Sequence, residues 1–174
     1  MNAAVSLTSR EEIEVHHFGW GASFGIPALA ILIQVYLTQK IHFLQIFDLP
    51  LLVTIFFAVA RRRPIPGMFT GAFIGLAQDA FTHLPIGLYG IANTLIGYAA
   101  SSLGVKLDVD NPGSRFLMTF GFFLVHRFIY VVIDLGLVGG SQSWEWSHTL
   151  IAALANGFLS VVLFAALDRF KQRI

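Results

Sequence analysis

The sequence predicts an all-α, polytopic membrane protein, a bundle of six transmembrane helices. Three observations lead there. Hydrophobic residues make up 56% of the 174 positions and charged residues only 12%, against roughly 25% charged in soluble domains. The mean hydropathy is +0.72, and a soluble domain of this size could not cover so much apolar surface. The apolar residues fall into six long runs, with lysines and arginines confined to short clusters between them.

The first run, 18–37, is long enough to span about 30 Å of hydrocarbon. Glu11, Glu12 and Glu14 precede it against a single Arg10, which is unlike a signal peptide, so it reads as a retained span. Pro27 predicts a kink within it. The second run, 44–60, contains Asp48-Leu49-Pro50. Asp48 suits an N-cap and Pro50 the first helical turn, so regular helix is expected from Leu49. Pro64 and Pro66 are then expected to break the chain. The third run, 67–81, is short for a span and needs extension toward Pro66 or His83. The fourth, fifth and sixth runs are 84–103, 116–138 and 149–167. Between the fourth and fifth, Asn111-Pro112-Gly113 reads as a polar turn.

Charge placement predicts the orientation. With six spans and an inside N-terminus, Arg10, Arg61, Arg62, Arg63, Lys106, Arg115, Arg169, Lys171 and Arg173 all lie inside, and only Lys40 lies in an outside loop. The positive-inside rule then places both termini in the cytoplasm, with Trp144 and Trp146 as interfacial anchors at the outer end of the last span. The expected organisation is a cytoplasmic segment at 1–17, a six-helix transmembrane domain at 18–168 and a basic cytoplasmic tail at 169–174.

Small and polar residues recur at intervals of four, which puts them on one helix face. Gly67, Gly71, Gly75 and Asp79 form such a ladder on the third span. Asn93, Gly97 and Ser101 form one on the fourth, and Ala152, Asn156 and Ser160 one on the sixth. In lipid, helices associate through close backbone approach, so these faces either pack the monomer or dock a helix of another protein.

Asp79 ends its ladder before Thr82-His83-Leu84-Pro85-Ile86-Gly87. A carboxylate there suits capping of the next helix and fixing of the turn into Pro85 and Gly87; a proton or ion relay is the weaker alternative. Arg127 lies within the fifth span beside His126, and Asp134 follows seven residues later on the same face, roughly 10 Å along the axis. Arg127 is either half of a buried structural pair with Asp134, Asp48 or Asp79, or a contact for an anionic small molecule.

The chemistry of the sequence is otherwise sparse. With no cysteine, disulfides and thiolate metal sites are impossible. The histidines show no metal-ligand spacing, and there is no phosphate loop, nucleophile elbow or paired acid, so neither an enzyme nor a metal or cofactor is expected. A net charge of +1 without an extended basic face argues against nucleic acid.

The stretch GAFIGLAQDAFTHLPIGLYG, residues 71–90, resembles the central signature of the rod shape-determining protein MreD family. Gly75, Asp79, Thr82, Pro85 and Gly87 stand at its positions. Residues 49–63 resemble that family's second span running into a basic turn, and Ala155-Asn156-Gly157 a small polar step in its last span. Two features depart from the pattern: the order Asp48 then Pro50, and the presence of His126-Arg127. The resemblance implies a non-enzymatic inner-membrane component of the cell-elongation machinery. Its implied partners are MreC, MreB filaments, RodA and its penicillin-binding transpeptidase, with membrane lipid around it. It also implies a fold similar to the substrate-binding subunit of energy-coupling-factor transporters. From that likeness follows the alternative function, a small-molecule-binding membrane subunit with Arg127 as ligand contact.

Overall fold

The computed structural model describes residues 19–82, 85–104, 111–140 and 144–170. The expected N-terminal segment at 1–17, His83, Lys106 and the tail beyond Phe170 lie outside them. The described chain is helical, with no strand among the described residues: α1 (Trp20–Lys40), α2 (Leu49–Arg61), α3 (Pro64–Thr82), α4 (Leu88–Gly104), α5 (Pro112–Ile133) and α6 (Trp146–Leu167). A short 3-10 segment, His42–Ile46, precedes α2; a π-helical turn, Asp134–Val138, follows α5; a 3-10 turn, Asp168–Phe170, ends α6.

Local chemistry sets the boundaries. Asp48 caps α2, its Oδ1 accepting the Leu51 N–H at 3.1 Å, with Pro50 in the first turn. Arg62 ends α2 in the left-handed conformation, at φ 51°, and its N–H reaches the Ala58 carbonyl. Pro64 and Pro66, expected to break the chain, instead lie in the first turn of α3, where no N–H partner is needed. Asn111-Pro112-Gly113 is likewise a helix start. The Asn111 side chain accepts the Gly113 N–H at 2.8 Å and Pro112 opens α5. Helix α1 runs continuously through Pro27.

The helices alternate in direction. Ser23 near the start of α1 bonds Arg61 at the end of α2. Gly104 at the end of α4 lies against Val59 of α2. Arg115 near the start of α5 pairs with Asp168 after α6 at 2.6 Å. Arg61, Arg62, Arg63, Arg115 and Arg169 therefore gather at one end of the bundle, the basic end.

Helix α2 is the axis. Every residue from Pro50 to Ala60 is buried, and α2 contacts all five other helices. Phe56 meets Phe164 of α6 with ring centroids 5.4 Å apart. Around α2, α3 pairs most extensively with α4, and α5 with α6, while α1 covers α2 and α3 from the outside.

Four stretches are long and apolar enough to cross a membrane: Trp20–Lys40, Phe43–Arg61, Pro112–Val138 and Trp146–Phe170. The expectation of six spans thus meets six helices, of which α3 and α4 fall short by that measure. Helix α4 has only 17 residues. Helix α3, with 19, carries three glycines, Gln78 and Asp79.

Candidate functional site

The seam between α3 and α4 is built from missing side chains. A Cβ placed on Gly71 would lie on the carbonyl oxygen of Asn93, with the Asn93 carbonyl carbon at 2.7 Å. On Gly75 it would strike the Tyr89 carbonyl, and on Gly67 the Ser101 hydroxyl and the Gly97 carbonyl. Gly97 returns the contact against the carbonyl of Gly67. The two backbones approach as closely as only glycine permits. Gly67, Gly71, Gly75, Asn93 and Gly97 are all buried. In this structure the face is occupied by α4 of the same chain.

Asp79 closes the seam at the end opposite the arginines. It is fully buried. Its Oδ2 accepts the N–H groups of Gly87 at 2.8 Å and Gly90 at 3.0 Å, and its Oδ1 that of Tyr89 at 3.0 Å. A carboxylate on one helix thus caps the next, satisfying donors that a helix start leaves open. Gly87 holds φ 113°, a conformation that L side chains rarely adopt. Pro85 supplies the carbonyl that accepts the Leu88 N–H at 3.4 Å. The Thr82 hydroxyl donates back to the Gln78 carbonyl at 2.7 Å.

A second cluster surrounds the irregular backbone before α2. Non-helical backbone at membrane depth needs internal partners. Asn156 of α6 provides two: its Oδ1 accepts the Asp48 N–H at 2.9 Å, and its Nδ2 donates to the Ile46 carbonyl at 2.8 Å. From the other side, Gln34 of α1 donates to the Phe47 carbonyl at 2.7 Å and accepts the Leu49 N–H at 3.1 Å. Two amide side chains thus clamp residues 46–49. Gln78 reaches the Asp48 carboxylate at 3.5 Å, and Asn93 reaches Gln78 at 3.4 Å.

Beside this clamp lies a polar cavity of about 130 Å³, lined among others by Gln34, Asp48, Gln78, Tyr89, His126 and Arg127. The Arg127 guanidinium carbon sits 5.6 Å over the Tyr130 ring. Tyr89 stacks on His126 at 5.8 Å and meets Tyr130 at 4.9 Å, which ties α4 to α5. His126 is 3% exposed, and its Nε2 has no hydrogen-bond partner among the described residues. Asp134 is buried at the end of α5, where its carboxylate lies against Gly140.

The sequence does not reveal Gln34, Gln78 or Tyr89, nor the place of His126 in the lining of this cavity. A signal existed for the amides: uncharged polar side chains inside apolar runs are costly unless bonded. Among the described residues, no group of three or more histidines and acids is placed to hold a metal ion.

Fold and site together define a multi-pass helical membrane protein whose intramembrane polar groups cap helices, clamp irregular backbone and line one cavity. The family follows from comparison: the chain belongs to the rod shape-determining protein MreD family, whose model matches residues 20–174. It is accordingly a membrane protein of the rod-shape system. No curated protein and no solved structure matches the chain.

Proposed function

We propose that the chain is a non-enzymatic scaffold in the bacterial inner membrane, holding the cytoskeletal and peptidoglycan-synthesis parts of the elongation machinery together. The observation that carries this reading is the family match over residues 20–174. The geometry is consistent with it, because the buried Asp79 and Asn156 and the half-buried Gln34 are spent on backbone donors and acceptors. The partners proposed are those the family resemblance implies: MreC, MreB filaments, RodA and its penicillin-binding transpeptidase.

All six helices span the membrane in this reading. Support for this comes from the pairing of α3 with α4 along the seam and from their packing against α2, which lies within one of the four long apolar stretches. The basic end faces the cytoplasm, in keeping with the positive-inside rule, and both termini with it. The segments 1–17 and 169–174 then flank a transmembrane domain at 18–168. Depletion of the chain from its own bacterium tests the proposal. Cells should widen and round up; rods of unchanged width at full depletion would contradict it.

A second reading is favoured by one observation, the polar cavity with its His126 Nε2, which has no hydrogen-bond partner among the described residues. It makes the chain a small-molecule-binding subunit of an energy-coupling-factor type transporter, with Arg127 as ligand contact. Co-purification with an ATPase pair and a coupling subunit distinguishes it from the scaffold.

A further inference from the structure

A second, larger cavity shares no lining residue with the polar cavity. It is a groove of about 440 Å³ along α1 and α3, walled mainly by Phe24, Pro27, Phe69, Phe73 and Leu76. Its walls are open rather than packed: Phe24, Phe69 and Phe73 are 53%, 64% and 62% exposed. At the basic end of the groove stands Arg61. Its guanidinium is held from both walls, donating to the Ser23 hydroxyl of α1 and the Thr70 hydroxyl of α3, each at 3.0 Å. The Phe57 ring lies 5.3 Å beneath it. Two of its five N–H donors are named by these bonds. Arg62 and Arg63 follow at once in the α2–α3 link. Among the described residues, no acid forms an ion pair with Arg61, Arg62 or Arg63.

We propose that this groove seats one acyl chain of an anionic phospholipid whose phosphate meets Arg61, Arg62 and Arg63 at its basic end. Each part of the lipid has a counterpart. The wall is aromatic and aliphatic, as an acyl chain requires, with an arginine at one end to meet a phosphate. Arg61 lines the basic end of the groove and Arg62 and Arg63 follow it in the link between α2 and α3; among the described residues none of the three is paired with an acid. Basic pockets between helices on the cytoplasmic side are suited to anionic headgroups. Arginine is the apt residue, since its planar fork takes phosphate oxygens in pairs. Ser23 and Thr70 fix the Arg61 fork before the lipid arrives, which lowers the ordering cost of binding.

The test is lipid retention. The full chain is exchanged into nanodiscs of phosphatidylcholine with or without phosphatidylglycerol, released, and weighed by native mass spectrometry. One phosphatidylglycerol should remain bound in preference to phosphatidylcholine. Arg62→Gln with Arg63→Gln leaves the bonds of Arg61 untouched and should weaken retention roughly twenty-five-fold, a factor of five for each charge. Ala72→Leu narrows the groove from α3 without touching a charge and should also reduce retention, with helical content by circular dichroism unchanged. Equal retention of the two lipids overturns the proposal, as does unchanged retention in both variants. A photo-crosslinker at Phe73 that captures a protein helix rather than lipid in native membrane also overturns it.

Discussion

Asp79 accepts the backbone N–H of Gly87 at 2.8 Å, across a turn that separates two helices. The same carboxylate takes the N–H groups of Tyr89 and Gly90, so α3 ends by capping α4. One buried side chain thus satisfies three backbone donors at the partly buried start of α4, donors that a helix start leaves without intrahelical partners. Asp79→Ala should therefore destabilise the bundle by about 2–4 kcal/mol. Equilibrium unfolding in mixed micelles measures it. A loss below about 0.5 kcal/mol, the size of an ordinary surface change, would show that the cap is dispensable.

The glycine seam predicts a contrast between two positions. A Cβ on Gly71 would sit on the Asn93 carbonyl, whereas Gly121 of α5 has nothing within 4 Å of its own. Gly71→Ala must push α3 from α4 and should cost about 1–3 kcal/mol. Gly121→Ala should be neutral, or stabilising by up to about 1 kcal/mol through helix propensity. The same unfolding assay reads both. Equal effects would mean that the seam is not tightly packed.

The clamp on residues 46–49 predicts coupling. Asn156→Leu leaves the Asp48 N–H and the Ile46 carbonyl without partners, and Gln34→Leu does the same to Leu49 and Phe47. Each should cost about 1–3 kcal/mol. Because both hold one short segment, the double variant should lose clearly less or more than the sum, by at least about 0.5 kcal/mol. Strict additivity in a double-mutant cycle would argue that the two amides act on separate elements.

His126 offers a prediction of the opposite sign. Its Nε2 is buried and has no partner among the described residues. His126→Phe removes that polar atom at similar volume, so stability should hold or rise by about 1 kcal/mol. A marked loss in thermal unfolding would mean that the ring nitrogen has a partner that matters to the fold.

Much of the architecture could be read from the sequence, and the misses have physical causes. The caps at Asp48 and Asn111 depend on neighbours within three residues, and only the first was read as a cap. The second reads as a turn because proline and glycine stand at helix starts as well as in loops. Pro64 and Pro66 misled for the same reason. The four-residue spacing of Gly67, Gly71 and Gly75 marked a face, but spacing alone left open whether α4 or a foreign helix covers it. The central place of α2 was hidden, since a helix apolar all round suits lipid contact as well as a core. Gln34 and Asn156 sit on different helices and meet only around residues 46–49. No single-sequence pattern links Asn156 to Asp48, 108 positions away.

The scaffold reading is tested most directly by recovering the chain from its native membrane in a gentle detergent and identifying what comes with it by mass spectrometry. The account predicts the bitopic protein MreC, RodA or the transpeptidase, with recovery reduced by Gly71→Leu. An ATPase pair with a coupling subunit, and none of the elongation proteins, would contradict it.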